Sequence, residues 1–158
     1  MNIVSKVKLF SFGLLFGIII RLFDIYTQVL GNIFSSISVF ILIGVLLVLK
    51  SKTRKDAMLN VFLFFIAMLI TYYLTAMITH GVYGKRFIIG WGIVAFLSPI
   101  LAYFTYFIKN NRTISKIIKI GIILLTIIVS IKLFDKLYFY DYLVLIALIY
   151  LMYIKKDK

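Results

Sequence analysis

The sequence predicts an all-α fold: a polytopic transmembrane helical bundle of about six spans, with both termini cytoplasmic. Three observations carry this expectation. Of 158 residues, 64% are hydrophobic and the mean hydropathy is +1.13, whereas soluble domains are about half apolar. Apolar runs of the length a helix needs to cross a bilayer recur along the chain. They lack the alternation of a barrel strand, and a backbone in lipid must satisfy its own polar groups, which leaves helices. Finally, the basic residues gather in turns that six crossings would bring to one face.

The first span is Leu9–Phe23. The opening stretch MNIVSKVKLFSFGLLFGIII has the basic start and apolar middle of a signal peptide, but the following RLFDIYTQ contains no small-x-small cleavage pattern. It is read as a retained helix. Within it, GLLFG at Gly13–Gly17 has the spacing that lets two helix backbones approach closely. The second span, Gly31–Leu49, ends at the basic turn KSKTRKD, Lys50–Asp56.

The third span, Ala57–Ile78, is long and uninterrupted. It carries Asn60, Thr71 and Thr75, with Thr79 just beyond, near one face, where small and hydroxylated residues permit close contact and interhelical hydrogen bonds. The triplet TYY at Thr71–Tyr73 puts the phenols of Tyr72 and Tyr73 in the outer half of that span. Buried, they need partners, which Asp24 or Asp135 could supply. After THGVYGKR, the fourth span covers Phe87–Ile108. There GWG at Gly90–Gly92 admits a close neighbour, and Pro99 removes a helical hydrogen bond, predicting a mid-depth kink and a freed carbonyl. After KNNRTISK come the fifth span, Ile117–Phe134, and the sixth, Leu137–Ile154. Tyr138, Tyr140 and Tyr142 at one end of the sixth, with Tyr150 and Tyr153 at the other, suit interfacial belts. All 158 residues are expected to form one integral membrane domain.

Charge sets the expected orientation. The net charge is +13, from 18 Lys and Arg against 5 Asp and Glu. Lys6, Lys8, Lys50, Lys52, Arg54, Lys55, Lys109, Arg112, Lys116, Lys119, Lys155, Lys156 and Lys158 fall on the face shared by the termini. The other face keeps Arg21, Lys85, Arg86, Lys132 and Lys136. The positive-inside rule puts the first set in the cytoplasm, against anionic headgroups. The composition, rich in Ile, Lys, Phe and Tyr, resembles translation of an AT-rich bacterial genome, so the expected location is a bacterial cell membrane.

Two segments put charge inside the apolar runs. Arg21-Leu-Phe-Asp24 and Lys132-Leu-Phe-Asp135 share one pattern, each at the outer end of a span. These two spans run in the same direction. In each, the cation and the acid three residues on share a helix face, and Lys136 joins the second group. Three arrangements fit: an internal pair ending each helix, crossed pairs of Arg21 with Asp135 and Lys132 with Asp24, or an outward vestibule that also takes Asp141. With Arg21, Lys132 and Lys136 set against Asp24, Asp135 and Asp141, the group is formally neutral. Neutrality suits packing better than attraction of a charged ligand.

Several chemistries are set aside. The chain has no Cys, which removes disulfides and thiolate sites. It also has no Glu and a single histidine, His80, too few donors for a metal centre. No HExxH, GxSxG or Walker pattern occurs. No cofactor, no metal, no enzymatic activity and no nucleic-acid partner are expected. Two classes remain: a protein acting by contact with another membrane protein or a second copy, as an accessory subunit or an immunity-type protein, or a small-solute transport component.

Overall fold

A computed structural model describes residues 3–80, 85–110 and 113–154. Its elements are α1 (Ile3–Tyr26), α2 (Gln28–Phe34), α3 (Ile37–Lys50), α4 (Arg54–Ile78), α5 (Lys85–Thr105), α6 (Thr113–Phe134) and α7 (Phe139–Ile149). A 3-10 turn, Tyr106–Lys109, continues α5, and a π turn, Tyr150–Ile154, continues α7. No described residue lies in a strand. Four stretches are long and apolar enough to cross a membrane: Ser5–Tyr26, Arg54–Ile78, Ile88–Lys109 and Thr113–Leu133. Two apolar helices are shorter, Ile37–Lys50 and Phe139–Tyr153. Arg112 and the lysines of the tail, which contribute to the expected charge asymmetry, lie outside the described residues.

The stretch read as one span over Gly31–Leu49 is not one helix. It splits into α2 and α3 at Ser35–Ser36, where Ser36 is extended at φ −73° and ψ 142°. The Ser36 hydroxyl donates to the Ile33 carbonyl at 2.8 Å, and the Ser35 amide reaches the Gly31 carbonyl at 2.9 Å. Serine hydroxyls offer the backbone a local alternative to the helical ladder, so a helix end can be satisfied without water.

Proline also behaves differently from the expectation of a freed carbonyl. Helix α5 runs through Pro99. The carbonyl that Pro99 leaves without its usual amide is that of Ala95, and the Ser98 hydroxyl donates to it at 2.7 Å. That carbonyl therefore has a hydroxyl donor in place of the missing amide.

Helix α3 is central. Its buried face enters both apolar cores. One core joins Phe40 and Val48 to Ile20 of α1, Phe64, Phe65 and Met68 of α4, and Ala95 and Ala102 of α5. The other joins Val39 and Val45 to Ile122 of α6 and to Val144, Leu148 and Met152 at the end of the chain. Helix α1 lies along α4, and its glycines set the spacing. A Cβ on Gly13 would sit 2.6 Å from the Phe64 carbonyl oxygen, and one on Gly17 would overlap the Met68 carbonyl and the Thr71 hydroxyl. The GLLFG pair is thus a helix–helix contact within the chain. By contrast, Gly90 and Gly92 of GWG have no neighbour that close.

Candidate functional site

Polar side chains collect at both ends of α3. At its N-terminal end, Asp24 is held inside α1, one turn after Arg21. The Arg21 guanidinium approaches the Asp24 carboxylate at 3.9 Å and lies 5.7 Å from the Tyr72 ring centre. Tyr72, on α4, donates its phenol to Asp24 at 2.5 Å, and Ser35, in the hinge before α3, donates to the other carboxylate oxygen at 3.3 Å. Gly31 of α2 passes so close to Asp24 that a Cβ would meet its carboxylate and lie 2.7 Å from its Cα. One acid therefore ties α1, α4 and the α2–α3 hinge together.

The hinge continues to a second acid. Ser36 and Ser38 hydroxyls lie 3.1 Å apart, and Ser38 donates to Asp141 at 2.5 Å. Asp141 is 1% exposed. It stands in the first turn of α7 and accepts the Tyr138 amide at 2.9 Å, which caps the start of that helix. A carboxylate there is favoured by the unpaired amides and positive end of the helix, so it is stabilised without a cation beside it. The segment Ser35-Ser36-Ile37-Ser38 is thus clasped between Asp24 and Asp141.

The second charged segment does something else. Lys132, Asp135 and Lys136 are exposed. Asp135 is left-handed at φ 62° and ends α6, a conformation that aspartate tolerates better than most residues. Lys136 lies 5.1 Å from the Tyr138 ring centre. The crossed pairing of Arg21 with Asp135 is not adopted, because Arg21 faces the aspartate of its own helix. His80 is likewise exposed and left-handed, at φ 50°, just past the end of α4.

At the C-terminal end of α3, the Asn60 amide donates to the Ser51 hydroxyl at 2.8 Å, and that hydroxyl donates to the Leu47 carbonyl at 2.7 Å. The Lys109 ammonium bonds the Ser51 carbonyl. Tyr106 donates its phenol to the Lys52 carbonyl at 2.6 Å. The expected polar face of α4 therefore divides among different neighbours. Asn60 serves α3, Thr71 donates to the Leu14 carbonyl of α1 at 2.7 Å, and the Thr75 carbonyl accepts from Thr79 at 2.7 Å.

Between α3, α4, α5 and α6 lies a cavity of about 270 Å³, lined by apolar side chains with Ser98 and Thr105 as its hydroxyl-bearing members. Among the described residues no group of three His, Cys, Asp or Glu is placed to hold a metal ion. Sequence reasoning reached Arg21, Asp24, Tyr72 and Asp141, but it missed Ser35, Ser36, Ser38, Gly31, Ser51 and Lys109. The cluster of three serines in SSIS, inside an otherwise apolar run, was the available signal.

A family profile described as a family of unknown function (DUF6518) matches residues 10–123, well over half of the chain. That stretch runs from α1 into α6 and includes Asp24, the serine hinge and Tyr72. No curated protein and no solved structure matches the chain.

Proposed function

The chain belongs to the DUF6518 family, and from that premise we propose a six-span integral membrane protein of the bacterial cell membrane. Both termini are cytoplasmic, and the protein acts by contact with another membrane protein, as an accessory subunit or an immunity-type protein, not by catalysis. The four long apolar stretches supply four crossings. Helices α2 and α3 in series supply the second crossing, since α3 alone, with 14 residues, reaches only about 21 Å at 1.5 Å per residue. Helix α7 with its π turn supplies the last, at the short end of what a bilayer accommodates by local thinning.

One observation favours contact over solute handling. The charged and hydroxylated groups at the ends of α3 bond chiefly to one another and to the backbone, while the cavity within the bundle is apolar. Meanwhile the outer faces of α5, α6 and α7 stay greasy: Phe96, Ile117, Ile128 and Ile146 are each more than half exposed. A protein built this way meets its surroundings through apolar surface and basic turns.

Cross-linking followed by mass spectrometry in native membranes tests the reading, with a stoichiometric membrane-protein partner as the expected product. A small polar solute that co-purifies and raises the melting temperature in detergent would overturn it in favour of transport. Because the chain lacks cysteine, single cysteines report orientation cleanly. Lys52→Cys and Lys116→Cys should label only from the cytoplasmic side, and His80→Cys and Lys136→Cys only from outside.

A further inference from the structure

The apolar cavity has a shape, an opening and a charged end. Its walls follow α3 from Ile37 to Val48, about 16 Å of helix, so it is a groove running along the bundle. Its mouth lies between α5 and α6, where the lining residues Leu101, Phe104 and Leu125 are 49%, 55% and 42% exposed on the outer surface. Two glycines make the room. A Cβ on Gly121 would meet nothing within 4 Å, and one on Gly44 would only touch the Phe65 ring at 3.8 Å. A helix is about 10–12 Å across with its side chains and does not enter a space of about 270 Å³. A single hydrocarbon chain does.

The groove ends among cations. Its wall residues Val48, Thr105 and Ile118 are each within four positions of Lys50, Lys109 and Lys116. The Lys109 ammonium is held at that end by the Ser51 carbonyl and lies 4.7 Å from the Tyr106 ring centre. Helix α6 also begins there, directing its positive dipole end to the same place. We propose that the groove seats one acyl chain of an anionic phospholipid, whose phosphate lies against Lys50, Lys109 and Lys116. This rests on the bundle being embedded in a bilayer, as proposed above. It does not depend on a protein partner or on which face is cytoplasmic.

Native mass spectrometry of the full chain in mild detergent, with phosphatidylglycerol or phosphatidylcholine added back, tests it. The wild type should retain one phosphatidylglycerol per chain. Gly44→Leu combined with Gly121→Leu should weaken retention about tenfold for every two methylenes displaced. Lys109→Gln should cut the preference for the anionic lipid about fivefold. Equal retention of both lipids by the wild type, or unchanged retention in the double leucine variant, overturns the proposal. So does efficient disulfide trapping of Gly121→Cys to a second copy or another protein, which would make the groove a protein interface. Should the leucine variant fail to fold, the wild type decides. Phosphatidylglycerol with a photoactivatable acyl chain must label the peptide around Gly121–Leu125, and labelling confined to other helices refutes the seat. Failure of the topology or partner experiments leaves these readouts unaffected.

Discussion

Two glycine-to-alanine changes, chemically identical, should move stability in opposite directions. At Gly17 the added methyl overlaps the Met68 carbonyl and the Thr71 hydroxyl, and it lies 3.0 Å from the Met68 carbonyl carbon. Both of the nearest atoms are fixed, one by the α4 backbone and one by its 2.7 Å bond to the Leu14 carbonyl. Helix α1 must therefore move off α4. At Gly121 the same methyl enters open space. Overpacking costs about 1–3 kcal/mol, and an interhelical hydrogen bond in a membrane is worth about 0.6 kcal/mol. Alanine also favours the helix over glycine by up to about 1 kcal/mol, but that gain is common to both variants and cancels between them. Gly17→Ala should consequently be about 2–4 kcal/mol less stable than Gly121→Ala. At about 2–4 °C per kcal/mol for a chain of this size, the melting temperatures should differ by about 5–15 °C. Thermal unfolding in one detergent, followed by circular dichroism, measures this directly. Equal melting temperatures would refute the close α1–α4 contact.

Three further outcomes follow from the polar contacts. Arg21→Asp should cost about 1–3 kcal/mol and not be recovered by Asp135→Arg; recovery in thermal unfolding would revive the crossed pairing. Ser38→Ala should cost about 1–3 kcal/mol by leaving the buried Asp141 short of a donor. Combined with Asp141→Ala it should cost less than the sum, and strict additivity in a double-mutant cycle would contradict the contact. Ser98→Ala should cost about 1–3 kcal/mol because the Ala95 carbonyl loses its donor, and Pro99→Ala should restore that loss by returning a backbone amide. A Pro99→Ala change that further destabilises Ser98→Ala would show that the hydroxyl does not replace the missing amide.

The long helices were legible because each is apolar along a continuous stretch of spanning length, whatever its neighbours are. Helices α1, α4, α5 and α6 all coincide with expected spans, within a few residues at most ends. The hinge at Ser35–Ser36 was not legible. In water a run such as SSIS reads as a cap or a turn, but inside an apolar stretch a serine can equally bond back to its own helix, and only its distant partners decide. Ser38 needs Asp141, 103 positions away, before the break becomes favourable. The same limit applied to the repeated segment. Arg21-Leu-Phe-Asp24 and Lys132-Leu-Phe-Asp135 are alike in sequence, but Asp24 has Tyr72 and Ser35 within reach whereas Asp135 stands at an exposed helix end. Spacing gave Arg21 and Asp24 a common face, and it placed Tyr72 beside a short list of acids. It did not distinguish one aspartate from the other.

These contacts also explain why so apolar a chain holds one buried and one half-buried acid. In the bilayer proposed above, lipid tails are as apolar as leucine, so little hydrophobic force draws helices into one register, and shape and directional bonds must set it. Helices α1 and α4 are registered by shape, through Gly13 and Gly17. Helix α3 has Gly44 only loosely against Phe65, 3.8 Å from an added Cβ, and would be free to slide. It is instead fastened at both ends, by the serines between Asp24 and Asp141 at its start and by Ser51 between Asn60 and Lys109 at its finish. A slide of one turn, about 5.4 Å, would break both sets at once. Fixing α3 in this way leaves the space beside Gly44 and Gly121 unfilled, since neighbours cannot shift inward to close it. The acyl groove and the two aspartates that clasp the serines are therefore consequences of one requirement, the register of a short central helix.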